Sequence, residues 1–251
     1  MRPDQVEEVV RLLTAVRSGA APSADLPAEC RPQSDADAYE IQDAVTRHLG
    51  ETIGGWKIGI ASAVAPAFCA PIYARMIRLA PATYTTAEVR LIGIEGELAL
   101  RLGRDLPPRD QPYQRDEVIE GASLHPAIEV VDSRFVDPRA LLRPVMLADN
   151  YANGGLVYGP AVPDWQKRDL TATKMTITAN GEPLADSSIG PTRDPAAALV
   201  EFANLMRGRG GAKAGWIITT GSWTGLEFTR RGARVAADFG PLGRIEVAFP
   251  G

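Results

Sequence analysis

The stretch Ile92-Gly-Ile-Glu-Gly-Glu-Leu-Ala-Leu100 decides how the rest of the chain is read. Ile92, Ile94, Leu98 and Leu100 alternate with Gly93, Glu95, Glu97 and Ala99, which is the period of a strand rather than of a helix. Side chains two apart on a strand leave the same face. Glu95 and Glu97 are therefore expected side by side, with Ile94, Leu98 and Leu100 buried opposite. Carboxylates that close repel, so the pair needs a proton, a cation or open water between its members. Downstream, Ala127-Ile-Glu-Val-Val-Asp132 sets Glu129 inside a second apolar run, where an unpaired carboxylate is expensive. The three glutamates make a candidate oxygen-ligand set for a hard divalent cation, Mg²⁺ or Mn²⁺. For Glu-x-Glu taken alone, two solvated glutamates on an ordinary amphipathic strand is the competing reading.

Composition narrows the classes. A chain of 251 residues can bury a full core and is most simply one domain, or one core with a smaller appendage. Its 45% hydrophobic and 23% charged residues are those of an ordinary soluble protein. A net charge of −4 gives no reason to expect nucleic-acid or polybasic membrane binding. No apolar run approaches the ~20 residues that span a bilayer, and the first residues lack the apolar core of a signal peptide, so a cytoplasmic location is expected. Cys30 and Cys69 have neither zinc nor disulfide-framework spacing and read as free thiols. With only His48 and His125 present, a histidine-rich metal site is excluded.

Two helices are expected first, over residues 5–17 and from Ser34 to about Leu49, the second stopped by Gly50. Residues 1–50 then form a helical region packed on a core of residues 51–251. Gly55-Trp-Lys-Ile-Gly-Ile-Ala-Ser62 reads as a strand in which Lys57 points away from buried Trp56 and Ile58, to bulk water or into a cleft. Gly59 shares its face and would leave room there for a ligand. A Lys57→Met change on that reading keeps stability and metal affinity while turnover collapses. Residues 63–89 read as irregular, 137–145 as a polar segment and 171–179 as an alternating strand. Asn180-Gly181 is a hairpin signal, and Asp194-Pro195 opens a helix. Strands with few helices between them argue for an α+β fold with a mixed or antiparallel sheet.

Several stretches taken together resemble the fumarylacetoacetate hydrolase superfamily, and within it the 2-keto-4-pentenoate hydratase branch. They are Gly55-Trp-Lys-Ile-Gly, Ile94-Glu-Gly-Glu-Leu-Ala with Leu102-Gly-Arg-Asp-Leu-Pro, Pro126-Ala-Ile-Glu-Val-Val-Asp-Ser-Arg134, Ala148-Asp-Asn150, and two C-terminal strands. The resemblance implies a mixed β-roll with peripheral helices, usually oligomeric, that binds a divalent cation. It places Glu95, Glu97 and Glu129 on the family's metal-binding carboxylates and Lys57 on the lysine its hydratases use beside the substrate. Asp149 and Asn150 match an Asp-Asn pair that a small residue or serine usually follows two places on; here that position is Ala152. Residues 69–75 resemble the family's Glu-Pro-x-Tyr-Gly loop without its acidic residue and with Ala74 for glycine.

What the resemblance implies for function is a metal-dependent hydro-lyase adding water to a short 2-hydroxydienoate or 2-oxo-4-enoate. Its pocket is expected from residues 56–62, 69–75 and 221–222, with Tyr73, Asp149 and Ser222 on the substrate. A homo-oligomer is implied, possible also in complex with a related pathway enzyme. The alternatives are a decarboxylase of 2-oxo-3-enedioates, an acylpyruvate-type carbon–carbon hydrolase built on a His–Glu pair such as His48 with Glu51, or an inactive partner subunit.

Overall fold

In the computed structural model, which describes residues 1–59, 62, 66–187 and 194–251, the chain opens with α1 (Pro3–Arg17) and α2 (Asp35–Leu49). A capping box starts α2: the Asp37 N–H donates to Ser34 Oγ (3.2 Å) and the Ser34 N–H donates to Asp37 Oδ2 (3.0 Å). Gly50 ends it at φ 64°, the left-handed conformation that glycine adopts without penalty. Next come β1 (Ile53–Gly59), β2 (Phe68–Tyr73), β3 (Ile77–Leu79), β4 (Ala82–Thr83) and β5 (Gly93–Arg101). The short helix α3 (Arg115–Ile119), β6 (Ser123–Val131), α4 (Arg143–Ala148) and β7 (Asn153–Tyr158) follow. A hairpin of β8 (Thr176–Ala179) and β9 (Glu182–Asp186) turns on Asn180 and Gly181, both at positive φ. Asp194 caps α5 (Pro195–Met206), and β10 (Ile217–Thr219), β11 (Glu227–Phe228), β12 (Ala233–Asp238) and β13 (Arg244–Phe249) complete the order.

Among the described residues the strands form two mixed sheets. The larger runs β2-β1-β10-β5-β6-β7-β3, with β11 also on β5; the smaller runs β4-β13-β12-β8-β9. β2 lies against β7 as well as β1, so the larger sheet curls into a roll. Ile94, Leu98, Leu100, Ile128 and Val130 leave one face of it and join Met175, Ile177, Val235 and Val247 of the smaller sheet in the main core. Gly96 is needed there, since a Cβ would stand 2.2 Å from Met175 Sδ. On the opposite face Ile72, Ala99, Ala127, Leu156 and Ile217 fill the inside of the roll. Helices α1, α2 and α4 share a separate apolar cluster with Phe68 and Phe135. This is the α+β roll with peripheral helices that the sequence implies.

Three local readings need correction. Residues 63–89 contain β2, β3 and β4 rather than irregular chain. Every residue of β2 is buried, so it lacks the alternation that marks a strand with one wet face. The polar segment 137–145 runs into helix α4. Of the strand expected over 171–179, the first part is a 3₁₀ turn, Leu170–Ala172, whose Thr171 N–H donates to Asp169 Oδ1 (3.0 Å), although Met175 and Ile177 are buried as the alternation requires.

The room assigned to Gly59 is taken by the Phe68 ring, which a Cβ on Gly59 would approach to 1.9 Å. That ring packs in turn against Tyr151, with centroids 4.0 Å apart and the planes tilted by 32°. Residues 60 and 61, part of the expected pocket wall, lie outside the described residues. Gly59→Val is therefore expected to destabilise the fold by ~1–3 kcal/mol through overpacking, read as a lower urea midpoint. An unchanged midpoint would mean that Phe68 can leave its place at no cost.

Candidate metal and active site

Antiparallel pairing of β5 with β6 sets Glu95 directly opposite Glu129, and Glu97 is two residues from Glu95 on the same face. β10 pairs only with residues 99–101 of β5 and β11 only with residues 93–94. Between them the chain swings out as a turn over residues 220–226. From that turn the N–H groups of Thr220 and Gly221 both donate to Glu97 Oε2 at 3.1 Å. The Trp223 N–H donates to the Gly96 carbonyl at 2.8 Å, tying the turn to β5. Lys57, on β1, is in register with Thr219 of β10, so its side chain enters the same end of the roll.

Lys57 Nζ lies 2.7 Å from Glu129 Oε1 and 3.8 Å from Glu95 Oε2. It also donates to the Tyr151 carbonyl at 3.4 Å. With only 11% of its side chain exposed, Lys57 is not a solvated edge residue, so the mild structural effect expected for Lys57→Met does not follow. Burial opposes its charge, but Glu129 and Glu95 outweigh that and raise its pKa above the ordinary lysine value. Burial likewise raises the Glu95 carboxyl, with Lys57 and a Ser222 hydrogen bond pulling against it and Glu129 adding repulsion. Glu97 is raised well above the usual range by burial first, then by Glu129 and Glu95.

One oxygen from each of Glu95, Glu97 and Glu129 lies within 4.8 Å of the other two. Glu129 Oε1 accepts from Lys57 and from Asn153 Nδ2 (3.0 Å), whereas its Oε2 is buried with no partner. A buried carboxylate oxygen left in that state is costly. Three ionised carboxylates beside one lysine also leave two negative charges over. Oxygen donors, an orphaned lone pair and that charge balance all fit a hard divalent cation. These residues could hold one.

Ser222 joins the cluster through Glu95. Tyr73 does not: its ring faces Arg17, whose guanidinium carbon is 5.5 Å from the centroid, and its hydroxyl is 3.5 Å from Thr46 Oγ1 on α2. Asp149 is also elsewhere. Its Oδ2 accepts from Ser133 Oγ and the Arg134 N–H, each at 2.9 Å, and its Oδ1 accepts from Arg134 Nε. A carboxylate so occupied is a clamp on the turn that follows, where Asn150, Tyr151 and Ala152 all have positive φ. Sequence reasoning missed Asn153 as a partner of Glu129 and the Tyr151 carbonyl as a partner of Lys57. The polar Asn153 at the entrance to an apolar strand was the available signal. Of the histidines, His48 is exposed on α2, and His125 is held between Ser123 Oγ and the Gly159 carbonyl, each at 2.8 Å.

Comparison with known proteins bears on the fold and the family. The chain is 27% identical over 263 residues to a 2-keto-4-pentenoate hydratase of Paraburkholderia xenovorans (strain LB400), covering 99% of this chain and 96% of the relative. It is 29% identical over 162 residues to a 4-oxalocrotonate decarboxylase of a Pseudomonas species, covering 63% and 60%. Among solved structures, the 4-oxalocrotonate decarboxylase from Pseudomonas putida G7, complexed with magnesium and adipate, shares the fold with a TM-score of 0.83. Identity there is 20%, over 99% of this chain and 98% of that one. The profile described as fumarylacetoacetate (FAA) hydrolase C-terminal matches residues 58–249, and the chain belongs to that family.

Proposed function

We propose that this protein is a hydro-lyase dependent on Mg²⁺ or Mn²⁺ that adds water to a short 2-hydroxydienoate or 2-oxo-4-enoate of the 2-keto-4-pentenoate type. The observation that carries the reading is a buried lysine within 2.7 and 3.8 Å of two members of a three-glutamate set. Glu95, Glu97 and Glu129 would hold the ion. Once bound, the ion supplies positive charge that favours an enolate of the substrate. Lys57 holds a proton at Nζ and is placed to hand it to the substrate and recover it from water. Ser222 is the hydroxyl best placed for a substrate oxygen. Asp149 acts by holding the turn that presents the Tyr151 carbonyl to Lys57. A homo-oligomer is part of this reading.

Decarboxylation of a 2-oxo-3-enedioate is the second reading, supported by the relative of that name. A His–Glu hydrolase is not supported, because neither histidine stands with the glutamates and Glu51 pairs with Arg75 at 2.5 Å. The presence of Lys57 beside all three glutamates speaks against an inactive subunit. Steady-state turnover of 2-hydroxypentadienoate with EDTA and with Mg²⁺ tests the proposal. Loss of diene absorbance with Mg²⁺ alone is the expected result. Release of CO₂ from an enedioate without hydration of the diene favours the second reading, and inertness toward both rejects each.

Lys57→Met is expected to lower turnover by ~10²–10⁴. It also strands Glu129 as a buried charge, which typically costs ~3–5 kcal/mol. The metal-free variant should therefore melt well below wild type, and it should bind Mg²⁺ more tightly because a competing positive charge is gone. Near-wild-type turnover would remove Lys57 from the chemistry.

Metal affinity should also depend on pH. Glu95 and Glu97 hold their protons more tightly than ordinary glutamates in the metal-free fold, and ligation requires them ionised. Mg²⁺ affinity is expected to rise with pH through those raised pKa values and to fall on acidification, with proton release on binding. Calorimetry in buffers of different ionisation enthalpy reads that release directly. Heats independent of buffer would contradict the assignment.

A further inference from the structure

A cavity of about 280 Å³ lies between the end of α1, the start of β7 and the turn after β6. Four arginines and two acids line it: Asp132 Oδ1 accepts the Leu91 N–H at 2.8 Å while its Oδ2 lies 4.0 Å from Arg134 Nη1, and Glu88 pairs with Arg78. Three of the arginines are committed as well. Arg134 is held by Asp149, Arg75 by Glu51, and Arg90 donates to the Ser133 and Phe135 carbonyls at 2.7 Å each.

Arg17 differs. Its Nε is buried without a hydrogen-bond partner, and its nearest acid among the described residues is Asp149 at 3.8 Å, whose oxygens already serve Ser133 and Arg134. Asn150, 2% exposed, also lines the cavity with one amide atom unpartnered. Amide nitrogen and oxygen are interchangeable by a flip, so Asn150 can turn a donor inward. Burial, with the nearby Arg134 charge, brings the Arg17 pKa down to about 10, which leaves it charged at neutral pH. A charged guanidinium with 14% of its side chain exposed and its buried Nε unpartnered favours an anion beside it.

We propose that this cavity binds a carboxylate, with Arg17 as its charge partner and the Asn150 amide as a second donor. One guanidinium with a single unpartnered nitrogen, in a cavity that Glu88 and Asp132 also line, suits a singly charged group better than a phosphate dianion. The volume accommodates only a small acid or one end of a longer one. None of Lys57, Glu95, Glu97 and Glu129 lines the cavity, so the site stands whether or not the hydratase reading does. Asn153 lines it and also donates to Glu129, so the two sites share a wall. The carboxylate is thus either the far end of a dicarboxylic substrate or a separate small acid.

Calorimetric titration of the full chain in EDTA with acetate, glutarate and inorganic phosphate tests this without turnover. Saturable binding of acetate or glutarate, at least about tenfold weaker in R17Q, is the expected result. Where R17Q fails to fold, R17K serves: it keeps the charge but loses the planar fork, and it should bind more weakly than wild type. Absence of saturable carboxylate binding, equal binding in wild type and variant, or preference for phosphate each overturns the proposal. With Mg²⁺ restored, a KM raised in the variant for a dicarboxylic 2-oxo acid alone identifies the far end of the substrate. Unchanged KM values, with the binding defect retained, identify a separate acid.

Discussion

Glu95 and Glu129 face each other across an antiparallel strand pair, and nothing in the backbone can relieve that. Like charges in direct cross-strand register destabilise a sheet, and Glu97 adds a third on the same face. The apolar demands on β5 and β6 fix the register. Moving either strand by one residue would turn Ile94, Leu98, Ile128 and Val130 out of the main core. The repulsion therefore has to be met by other parts of the chain. β1 brings Lys57 to Glu129, β7 brings the Asn153 amide, and the excursion between β10 and β11 brings two N–H groups to Glu97. These partners come from opposite ends of the sequence, and each works only if the roll is closed.

What the sequence showed of this arrangement was its local part. Alternation over residues 92–100 placed Glu95 with Glu97, and the apolar run around Glu129 marked it as a charge needing a partner. Caps at Ser34 and Asp194 and the Asn180-Gly181 turn were equally legible, because each is a contact within a few residues. β2 was not, since a strand buried on both faces loses its period. Lys57 was placed on the right face, but its replacement was expected to spare stability. Alternation tells which side a residue leaves, not whether that side is the inside of a closed roll. Gly59 failed for the same reason: the space beside it belongs to Phe68, from a strand that local pattern did not reveal.

Three consecutive non-glycine residues with positive φ, Asn150, Tyr151 and Ala152, are a costly way to begin a strand. The Asp149–Arg134 clamp explains why the turn persists. Arg134 Nη2 also donates to the carbonyls of Asp149 (3.0 Å) and Asn153 (3.3 Å), bracketing the turn at both ends. Within those brackets Tyr151 aims its carbonyl at Lys57 and packs its ring against Phe68. The turn thus converts an arginine–aspartate pair on one side into the placement of a lysine on the other.

That turn is also the boundary between two clusters of buried charge. On the roll side, three carboxylates exceed one lysine; on the α1 side, Asp132 and Asp149 balance Arg17 and Arg134, but Arg17 Nε keeps no hydrogen-bond partner. Excess negative charge is what a divalent cation corrects, and an unpartnered guanidinium nitrogen is what a carboxylate oxygen satisfies. Asn153 touches both, through its side-chain amide to Glu129 and its carbonyl to Arg134. Ligands bound in these two places would therefore rest on the same short stretch of backbone, the left-handed turn and the Asn153 that follows it.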